Sequence, residues 1–458
     1  MFLGLPIILS QNWLFLFSIL RTHSSVGQSN GLLIRRSEVQ VLLSLLIILR
    51  KINTVRRRDF LTTTASVLGL AQTLNANQEE IKKNGKSAIL LWMGGGPSTM
   101  DIWDLKPKAP TGGPFTPIST TGDVEICEHM PLMAKQMHNM AIVRSMSTRE
   151  ADHMRGRYYM HTGYAPNPNM EHPSYGSVIS KQLEKEGLLI PQFVSINSPS
   201  VGAGFLGSQY APFFVNSDGR IKNLDIKIDQ RFYDRAAVLD MMEKNFINSN
   251  RGSLAREHQK ILKKTFNVLT SKEMDAMKVA NEPEVVKERY GDNSFGKGCL
   301  MARRLVEVGV PFIEVGLGGW DSHQNIFPTL KDTKLPMLDQ GMSALVEDLE
   351  QRGLLDDTAI IWMGEFSRTP RINQNAGRDH WARSWSVVVG GAGMQGGIVV
   401  GATNNDGTRV DTEPYSSQDV MASICKALGI SLQTTFTSNS GRPMKIANSG
   451  KIIKGLFA

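Results

Sequence analysis

Short apolar runs with the length of β-strands recur through the central part of the chain. The first covers residues 87–93 and stops at a row of three glycines, which is typical of a strand buried on both faces. Further runs of this kind cover residues 140–145, 193–196, 311–315, 358–363 and 385–389. Because helical stretches lie between most of these runs, the pattern predicts an α/β fold with a mostly parallel central sheet that helices cover on both faces.

The clearest helical pattern covers residues 333–352. Apolar residues recur there at steps of three and four, and Gly353 supplies a stop signal. Residues 218–292 differ from the rest, because they are highly charged, helical in pattern and poor in strand signals. We therefore expect one α/β domain over residues 87–435, with a helical insertion at about 218–292 and a C-terminal tail at 436–458.

The N-terminal region carries three apolar runs that polar residues separate. Each run is about half of the roughly 20 residues that a membrane-spanning helix needs. Residues 24–43 resemble the peptide that results when a transfer-RNA gene is translated. This resemblance predicts that residues 1–52 are a start-site artefact or a disordered extension, and a genuine signal anchor is the alternative.

A basic segment follows at residues 53–76. The sequence RRRDFL begins at Arg56 and precedes a mildly apolar stretch of small residues, which resembles a twin-arginine export signal. The alternative is a basic turn before a short helix. The resemblance predicts a periplasmic or otherwise exported protein, with the twin-arginine translocase as a partner and no stable membrane span in the mature chain.

Charge and cysteine content narrow the class of protein. The 458 residues carry a net charge of +8, of which +6 falls within the first 76 residues. The remaining chain is almost balanced, so no nucleic-acid partner is predicted. Three widely spaced cysteines allow one disulfide bond at most and form no zinc-ribbon motif. The composition is that of an ordinary packed globular protein.

Polar clusters follow four of the predicted strands, at the position where open α/β sheets bind their ligands. The clusters contain Ser98, Asp101 and Asp104; Asp152, His153, Arg157 and His161; Asp321 and His323; and Glu365, Arg368, Asp379 and His380. Imidazole and carboxylate groups are ligands that zinc and manganese accept, and loops at one sheet edge can converge. The clusters therefore predict a metal site. The alternative is that each side chain caps a turn or a neighbouring helix.

Several longer motifs accompany these clusters. They are MGGGPSTMDIWDLKP, HPSYGSVIS, GFLGSQYAPF, GWDSH, DLEQRGLLDDTAIIWMGEFSRTPRIN, GRDHW and GGAGMQGGIVVGAT. On these motifs the chain, from about residue 87 to 428, resembles the domain of unknown function 1501 (DUF1501) family, which is grouped with the alkaline phosphatase and sulfatase superfamily. The resemblance implies an alkaline phosphatase-like three-layer α/β/α sandwich. The family itself has no established reaction.

The superfamily active site uses two metal ions, and the resemblance implies ligands for them in this chain. Asp321 and His323 resemble its Asp and His pair, and His380 resembles its final histidine. These three side chains are implied to hold one divalent ion, with zinc expected and manganese or calcium as alternatives. Glu365 falls on a metal-binding aspartate and is implied to bind a metal or act as a base.

Other positions depart from the superfamily pattern. The metal-binding aspartate after the first strand is replaced by glycine, unless Asp101 or Ser98 reaches back to the metal. His153 stands at the nucleophile position, where the resemblance implies a ligand or a general acid. Arg157 matches a sulfatase arginine, and it or Arg368 is expected to hold the anionic group of a substrate.

These observations leave two hypotheses open. The first is an exported metal-dependent hydrolase that acts on small-molecule or polysaccharide sulfate or phosphate esters through metal-activated water. The second is a non-catalytic exported binding protein with a degenerate metal site on the same scaffold. Both predict that Asp321, His323 and His380 converge, because a helix joins the strands before them as a crossover and so brings the two carboxyl ends to one sheet edge.

The export signal can be tested by replacing Arg56, Arg57 and Arg58 together with lysine. We expect the variant to stay in the cytoplasm, because the export receptor reads the planar guanidinium group and not the positive charge alone. Fractionation of cells that express either form is the measurement. A variant that leaves the cytoplasm as efficiently as the wild type would contradict the predicted signal.

Overall fold

The computed structural model describes residues 85–220, 229–248, 265–266 and 268–457. The chain divides into two units, Met1–Thr73 and Leu74–Ala458, and every described residue belongs to the second unit. The segments expected to be a start-site artefact and an export signal lie outside the described residues. Within the described ranges, no helix has the length and apolar character needed to cross a membrane.

Strands and helices alternate along this unit. The strands are β1 (Ser87–Trp92), β2 (Pro117–Ser119), β3 (Glu125–Cys127), β4 (Met140–Met146), β5 (Phe193–Ile196), β6 (Phe213–Val215), β7 (Phe312–Gly316), β8 (Thr358–Met363), β9 (Ser367–Arg368), β10 (His380–Trp381), β11 (Trp385–Gly390), β12 (Val399–Val400), β13 (Thr435–Thr437) and β14 (Pro443–Lys445). The helices are α1 (Pro131–Ala134), α2 (His153–Thr162), α3 (Tyr175–Gln182), α4 (Gln230–Asn248), α5 (Glu284–Tyr290), α6 (Ser294–Glu307), α7 (Ile326–Thr329), α8 (Leu335–Gln351) and α9 (Ser417–Ala427). Short 3₁₀ turns lie between several of them.

Eight strands form the central sheet, in the order β12, β4, β11, β8, β1, β7, β5, β6. All of them run in one direction except β11, which pairs antiparallel with both of its neighbours. The six strands predicted from apolar runs are all present, and the mostly parallel sheet is confirmed. The short strands β6 and β12 were not predicted, since two or three residues make too short a pattern to recognise.

Alternate residues of the central strand β1 enter two separate hydrophobic cores. Ile89 and Leu91 face a core that includes residues of α6 and α8. Ala88 and Leu90 face the opposite core, which includes residues of α2, α3 and α9. Because a strand presents successive side chains to opposite faces, this sheet carries helices on both sides. The predicted three-layer α/β/α sandwich is confirmed.

Two peripheral regions were predicted in outline. The described part of residues 218–292 contains α4 and α5 and is mainly helical. The C-terminal segment behaves differently from the expected tail. Beyond β13, its residues Ile453 and Leu456 are buried in the same core as α9. The last residues therefore complete the domain and do not extend away from it.

The helix predicted at 333–352 is present as α8, which joins β7 to β8. Strand β1 lies between these two strands and pairs in parallel with each of them, so Trp92 stands opposite Gly316 on one side and Met363 on the other. Three carboxyl ends consequently lie side by side at one edge of the sheet. Every loop that follows them starts from this edge.

A buried carboxylate on α8 fixes a neighbouring helix. Asp339 accepts hydrogen bonds from the backbone N–H groups of Leu132 and Met133, at 3.0 and 2.6 Å. These donors belong to the first turn of α1, whose N–H groups lack partners within the helix. Burial raises the pKa of Asp339 to about 6, against the opposing effect of these two hydrogen bonds.

This shift has a consequence for stability. Asp339 keeps its proton in the folded state at pH values where the unfolded chain has lost it. The contribution of Asp339 to the free energy of unfolding should therefore fall as the pH rises from about 4 to about 6. Relative to Asp339→Asn, the wild-type free energy of unfolding should fall by about 1–3 kcal/mol between pH 4 and 7. Urea unfolding at several pH values measures the difference, with Asp356→Asn at an exposed position as the control. Parallel pH profiles for wild type and Asp339→Asn would contradict it.

Candidate metal centre

The loops that follow β1 and β7 are tied together by their backbones. The N–H of Gly94 donates to the carbonyl of Leu317 at 3.1 Å, and that of Trp320 donates to the carbonyl of Gly94 at 3.2 Å. Gly95 has a φ of +111°, and a Cβ atom there would lie 2.6 Å from the backbone nitrogen of Asp321. Glycine is therefore required for the first two loops to approach this closely.

Arg368 connects all three loops from the interior. Its side chain is fully buried, and Nε donates to the carbonyl of Gly96 at 2.7 Å. Nη2 donates to the carbonyl of Gly95 and forms an ion pair with Oδ1 of Asp321 at 2.6 Å. The guanidinium group thus holds the β1 loop and the β7 loop against the start of β9.

A two-stranded ribbon brings His380 back to the same place. His380 on β10 stands directly opposite Arg368 on β9 in an antiparallel pair. The loop between the strands packs on the β7 loop, where the side-chain amide of Asn373 donates to the carbonyl of His323 at 3.1 Å. This ribbon explains how histidines 57 residues apart come together.

His153 enters the cluster from the first position of α2, which Asp152 caps by accepting the N–H of Arg155. Nδ1 of His153 lies 2.7 Å from Oε1 of Glu365, and the same oxygen accepts the N–H of Gly95 at 2.8 Å. Glu365 is 4% exposed. A buried carboxylate on the β8 loop therefore fixes the orientation of this imidazole.

The other two histidines are oriented in the same way by different acceptors. Nδ1 of His323 lies 2.7 Å from Oδ1 of Asp379, and Nδ1 of His380 lies 2.8 Å from the carbonyl of Ala151. Since these oxygens accept and cannot donate, each Nδ1 carries the proton. In the neutral ring, Nε2 then presents its lone pair.

These Nε2 atoms point toward one another and toward Asp321. His323 Nε2 lies 3.2 Å from His380 Nε2, and Oδ1 of Asp321 lies 2.9 and 3.4 Å from these two nitrogens. Oδ2 of Asp321 lies 3.3 Å from Nε2 of His153. The structure thus brings together the three residues expected to share an ion, and it adds His153.

A bound cation suits this arrangement of donors. Lone pairs that face one another repel unless a proton or a cation lies between them. One donor atom each from His153, Asp321 and His380 lies within 4.8 Å of the others, which is the spacing that a shared ion requires. Among the described residues, Nε2 of His153 and Oε2 of Glu365 are buried without a hydrogen-bond partner. The residues present therefore fit a divalent metal ion.

The charges around the cluster favour ionised groups. Burial acts to raise the pKa of Asp321, but the hydrogen bond and charge of Arg368 outweigh it and hold that pKa below its usual value. The hydrogen bond to Glu365 raises the pKa of His153. The hydrogen bond from His323 lowers the pKa of Asp379. Asp321 is therefore a carboxylate, ready to bind a cation.

Asp101, expected to reach back to the metal, has other partners. Nε and Nη2 of Arg378 each donate to one of its oxygens at 2.8 Å, and the hydroxyl of Ser98 donates to Oδ2 at 2.6 Å. Asp101 and Arg378 are both buried. We therefore correct the expectation that Asp101 or Ser98 reaches back to the metal. Arg378 and the hydroxyl of Ser98 already occupy the carboxylate of Asp101.

Arg157 was expected to hold the anionic group of a substrate. Arg157 lies one turn after His153 on α2, and its Nε atom is buried without a hydrogen-bond partner in the described part of the chain. Asp379 belongs to one of the predicted polar clusters, but no specific role was predicted for it, although it directly precedes His380 in the GRDHW motif. The only signal for it was a carboxylate next to a predicted metal ligand, since outer carboxylates commonly orient such histidines.

Comparisons with known proteins give one family and several solved structures. Residues 85–457 match the family described as "Protein of unknown function (DUF1501)". The PsFucS1 sulfatase from Pseudoalteromonas sp. is similar at 12% identity over 79% of this chain and 71% of that chain, with a TM-score of 0.36. Alkaline phosphatase from the Antarctic bacterium TAB5 is similar at 13% identity over 76% of this chain and 98% of that chain, with a TM-score of 0.32.

A protein in the alkaline phosphatase superfamily from Vibrio parahaemolyticus is similar at 11% identity over 82% of this chain and 71% of that chain, with a TM-score of 0.33. At TM-scores this low, these likenesses carry no conclusion about the chemistry of this chain. No curated protein matches it in sequence.

The reassignment of Asp101 leads to a test that separates stability from metal binding. Asp101→Asn should lower the free energy of unfolding by about 3–5 kcal/mol, because it leaves the buried guanidinium of Arg378 without its counter-charge. The folded variant should bind as much zinc as the wild type. Urea unfolding and metal analysis are the two measurements, with His380→Ala as the variant expected to lose metal. Zinc loss in folded Asp101→Asn would restore Asp101 as a ligand.

Proposed function

The chain belongs to the DUF1501 family, and from that premise we propose that it is an exported metal-dependent hydrolase of sulfate or phosphate esters. One observation carries the proposal. Three imidazoles, each fixed through Nδ1 by a different acceptor, present Nε2 to one shared carboxylate on Asp321. Outer acceptors that fix histidines in this way are a recurrent feature of metal sites.

His153, Asp321 and His380 are the proposed ligands. Two imidazoles and a carboxylate suit zinc, and three protein ligands leave a coordination position open. A divalent ion held there would supply an activated water molecule and would polarise the ester oxygen. Asp321 is 44% exposed, so a substrate can reach the ion from solvent.

His323 has a different proposed role, although it was expected to be a ligand. Its Nε2 lies 3.4 Å from Nη1 of Arg368, which would strongly repel a divalent ion. The single charge of a proton would be offset by the carboxylates of Asp321 and Asp379, at 2.9 and 2.7 Å from the ring nitrogens. With Nδ1–H fixed to Asp379, His323 can accept a proton at Nε2 from an attacking water molecule or return it to the leaving group. Glu365 acts as a positioning residue for His153.

The anionic group of the substrate needs a cationic partner of its own. The guanidinium of Arg368 is fully buried and paired with Asp321, so it is unavailable for this role. Arg157 shares a helix face with His153, and its Nε atom lacks a partner among the described residues. We assign the sulfate or phosphate oxygens to Arg157, because a guanidinium group binds such oxygens in a bidentate manner.

Export is the less direct part of the proposal. It rests on the twin-arginine-like segment, which lies outside the described residues. The three cysteines are free and buried, so the fold requires no disulfide bond. A protein that folds and takes up its metal before export would use this route. Small-molecule and polysaccharide esters are both compatible with the exposed site.

Metal analysis and an ester panel test the proposal together. The purified chain should hold about one divalent ion, hydrolyse at least one sulfate or phosphate ester, and lose activity on chelation. His153→Ala and His380→Ala should each reduce zinc affinity by at least about 10-fold, because each removes one of three ligands. His323→Ala should retain zinc but lose about 10²–10⁴-fold in kcat, the usual contribution of acid–base catalysis.

The outcomes separate the two hypotheses. Bound zinc without turnover of any ester in the panel would favour the non-catalytic binding protein. Ester turnover that survives complete removal of metal would exclude the metal-dependent mechanism. Lys445→Ala, at an exposed position on β14, is the control for general effects of substitution.

A further inference from the structure

We propose that Arg368 fills the second cation position of this site, so that the protein holds one metal ion and one fixed guanidinium charge. The inference rests on the proposed metal-binding function and deepens it. It concerns how many ions the site accepts and which side chain sets that number.

The two oxygens of Asp321 face different partners. Oδ2 lies 3.3 Å from Nε2 of His153. Oδ1 lies 2.6 Å from Nη2 of Arg368, and Nε2 of His323 and of His380 lie 2.9 and 3.4 Å from the same oxygen. A carboxylate that bridges two cations uses one oxygen for each of them. Asp321 is arranged in this way, with the guanidinium group on one oxygen and the other oxygen available for an ion.

The side chain of His323 also contacts both Asp321 and Arg368. Its Nε2 lies 2.9 Å from Oδ1 of Asp321 and 3.4 Å from Nη1 of Arg368. These two donors, Nε2 and Oδ1, would otherwise form one side of a second ion site. The guanidinium group contacts both of them, and an arginine keeps its charge in proteins.

Burial and hydrogen bonds fix the position of this guanidinium group. The side chain of Arg368 is fully buried, and its other hydrogen bonds go to the carbonyls of Gly95 and Gly96. These contacts prevent the guanidinium group from turning aside for an incoming ion. A divalent ion at the second position would have to displace a buried cation that three loops hold.

The chain also offers a matched control. Arg378 is another fully buried arginine paired with a single aspartate, Asp101, and within the described part of the chain no histidine forms a hydrogen bond or ion pair with either side chain. Arg368→Met and Arg378→Met each remove one buried guanidinium group from one carboxylate. Only the first substitution releases an imidazole nitrogen together with the carboxylate oxygen.

The experiment measures zinc per chain by elemental analysis after equilibration with excess zinc and removal of loosely bound ions. We expect about one ion in the wild type, about two in Arg368→Met, and about one in Arg378→Met. Arg368→Gln, which retains an amide donor for the glycine carbonyls, is the second variant if Arg368→Met does not fold. Thermal melting with and without zinc is an independent readout, and zinc should raise the melting temperature of the Arg368 variant more than that of the wild type.

Each outcome bears on one proposal or the other. Two ions in the wild type would overturn the inference and leave the metal-binding function standing. One ion in the wild type and still one in a folded Arg368 variant would also overturn it. If Arg378→Met gains as much zinc as Arg368→Met, the gain follows from the loss of any buried positive charge. That result would also overturn the inference. No zinc in the wild type would instead defeat the proposed function itself.

Discussion

The ion pair between the buried guanidinium group of Arg368 and the carboxylate of Asp321 is the contact on which the rest of the site depends. It is formed where three parallel strands end side by side, and it joins the loops that follow them. The same guanidinium group binds the carbonyls of Gly95 and Gly96. Both residues must be glycine, because a Cβ atom at either position would clash with its neighbours. Without this contact, no buried side chain would hold the carboxylate of Asp321 in its position.

The histidines are arranged by a second set of contacts, which come from separate parts of the chain. Glu365, Asp379 and the carbonyl of Ala151 each accept one Nδ1–H. Because each acceptor follows a different strand or loop, the three rings keep their orientation only when the whole edge of the sheet is assembled. The donor geometry is therefore a property of the folded domain and does not belong to any single motif.

Much of the fold could be predicted from the sequence because its strands are buried on both faces. Such strands are continuous apolar runs, and residues 87–93 and 358–363 are clear examples. The position of Asp321, His323 and His380 at one edge followed from the topology of parallel strands. Strand direction was less accessible, since the apolar run of β11 looks the same whether it is parallel or antiparallel.

The details of the site could not be predicted for a physical reason. Asp101 and Asp321 both follow a strand and both pair with a buried arginine, yet Asp101 is buried and Asp321 is exposed, a difference that only the packing of the loops decides. His153 and Glu365 are 212 residues apart, and no local pattern links them. Contacts between loops depend on side-chain placement, which composition and spacing do not encode.

Gly95 has a consequence for how this protein can evolve. Its backbone conformation and the nearby nitrogen of Asp321 exclude any side chain at that position, so the present loop arrangement has no room for a carboxylate there. A lineage that gained such a carboxylate would first have to move the β7 loop away, and Asp321 would then lose its contact with Arg368. The close passage between these two loops therefore couples the identity of residue 95 to the position of Asp321, so neither can change without the other.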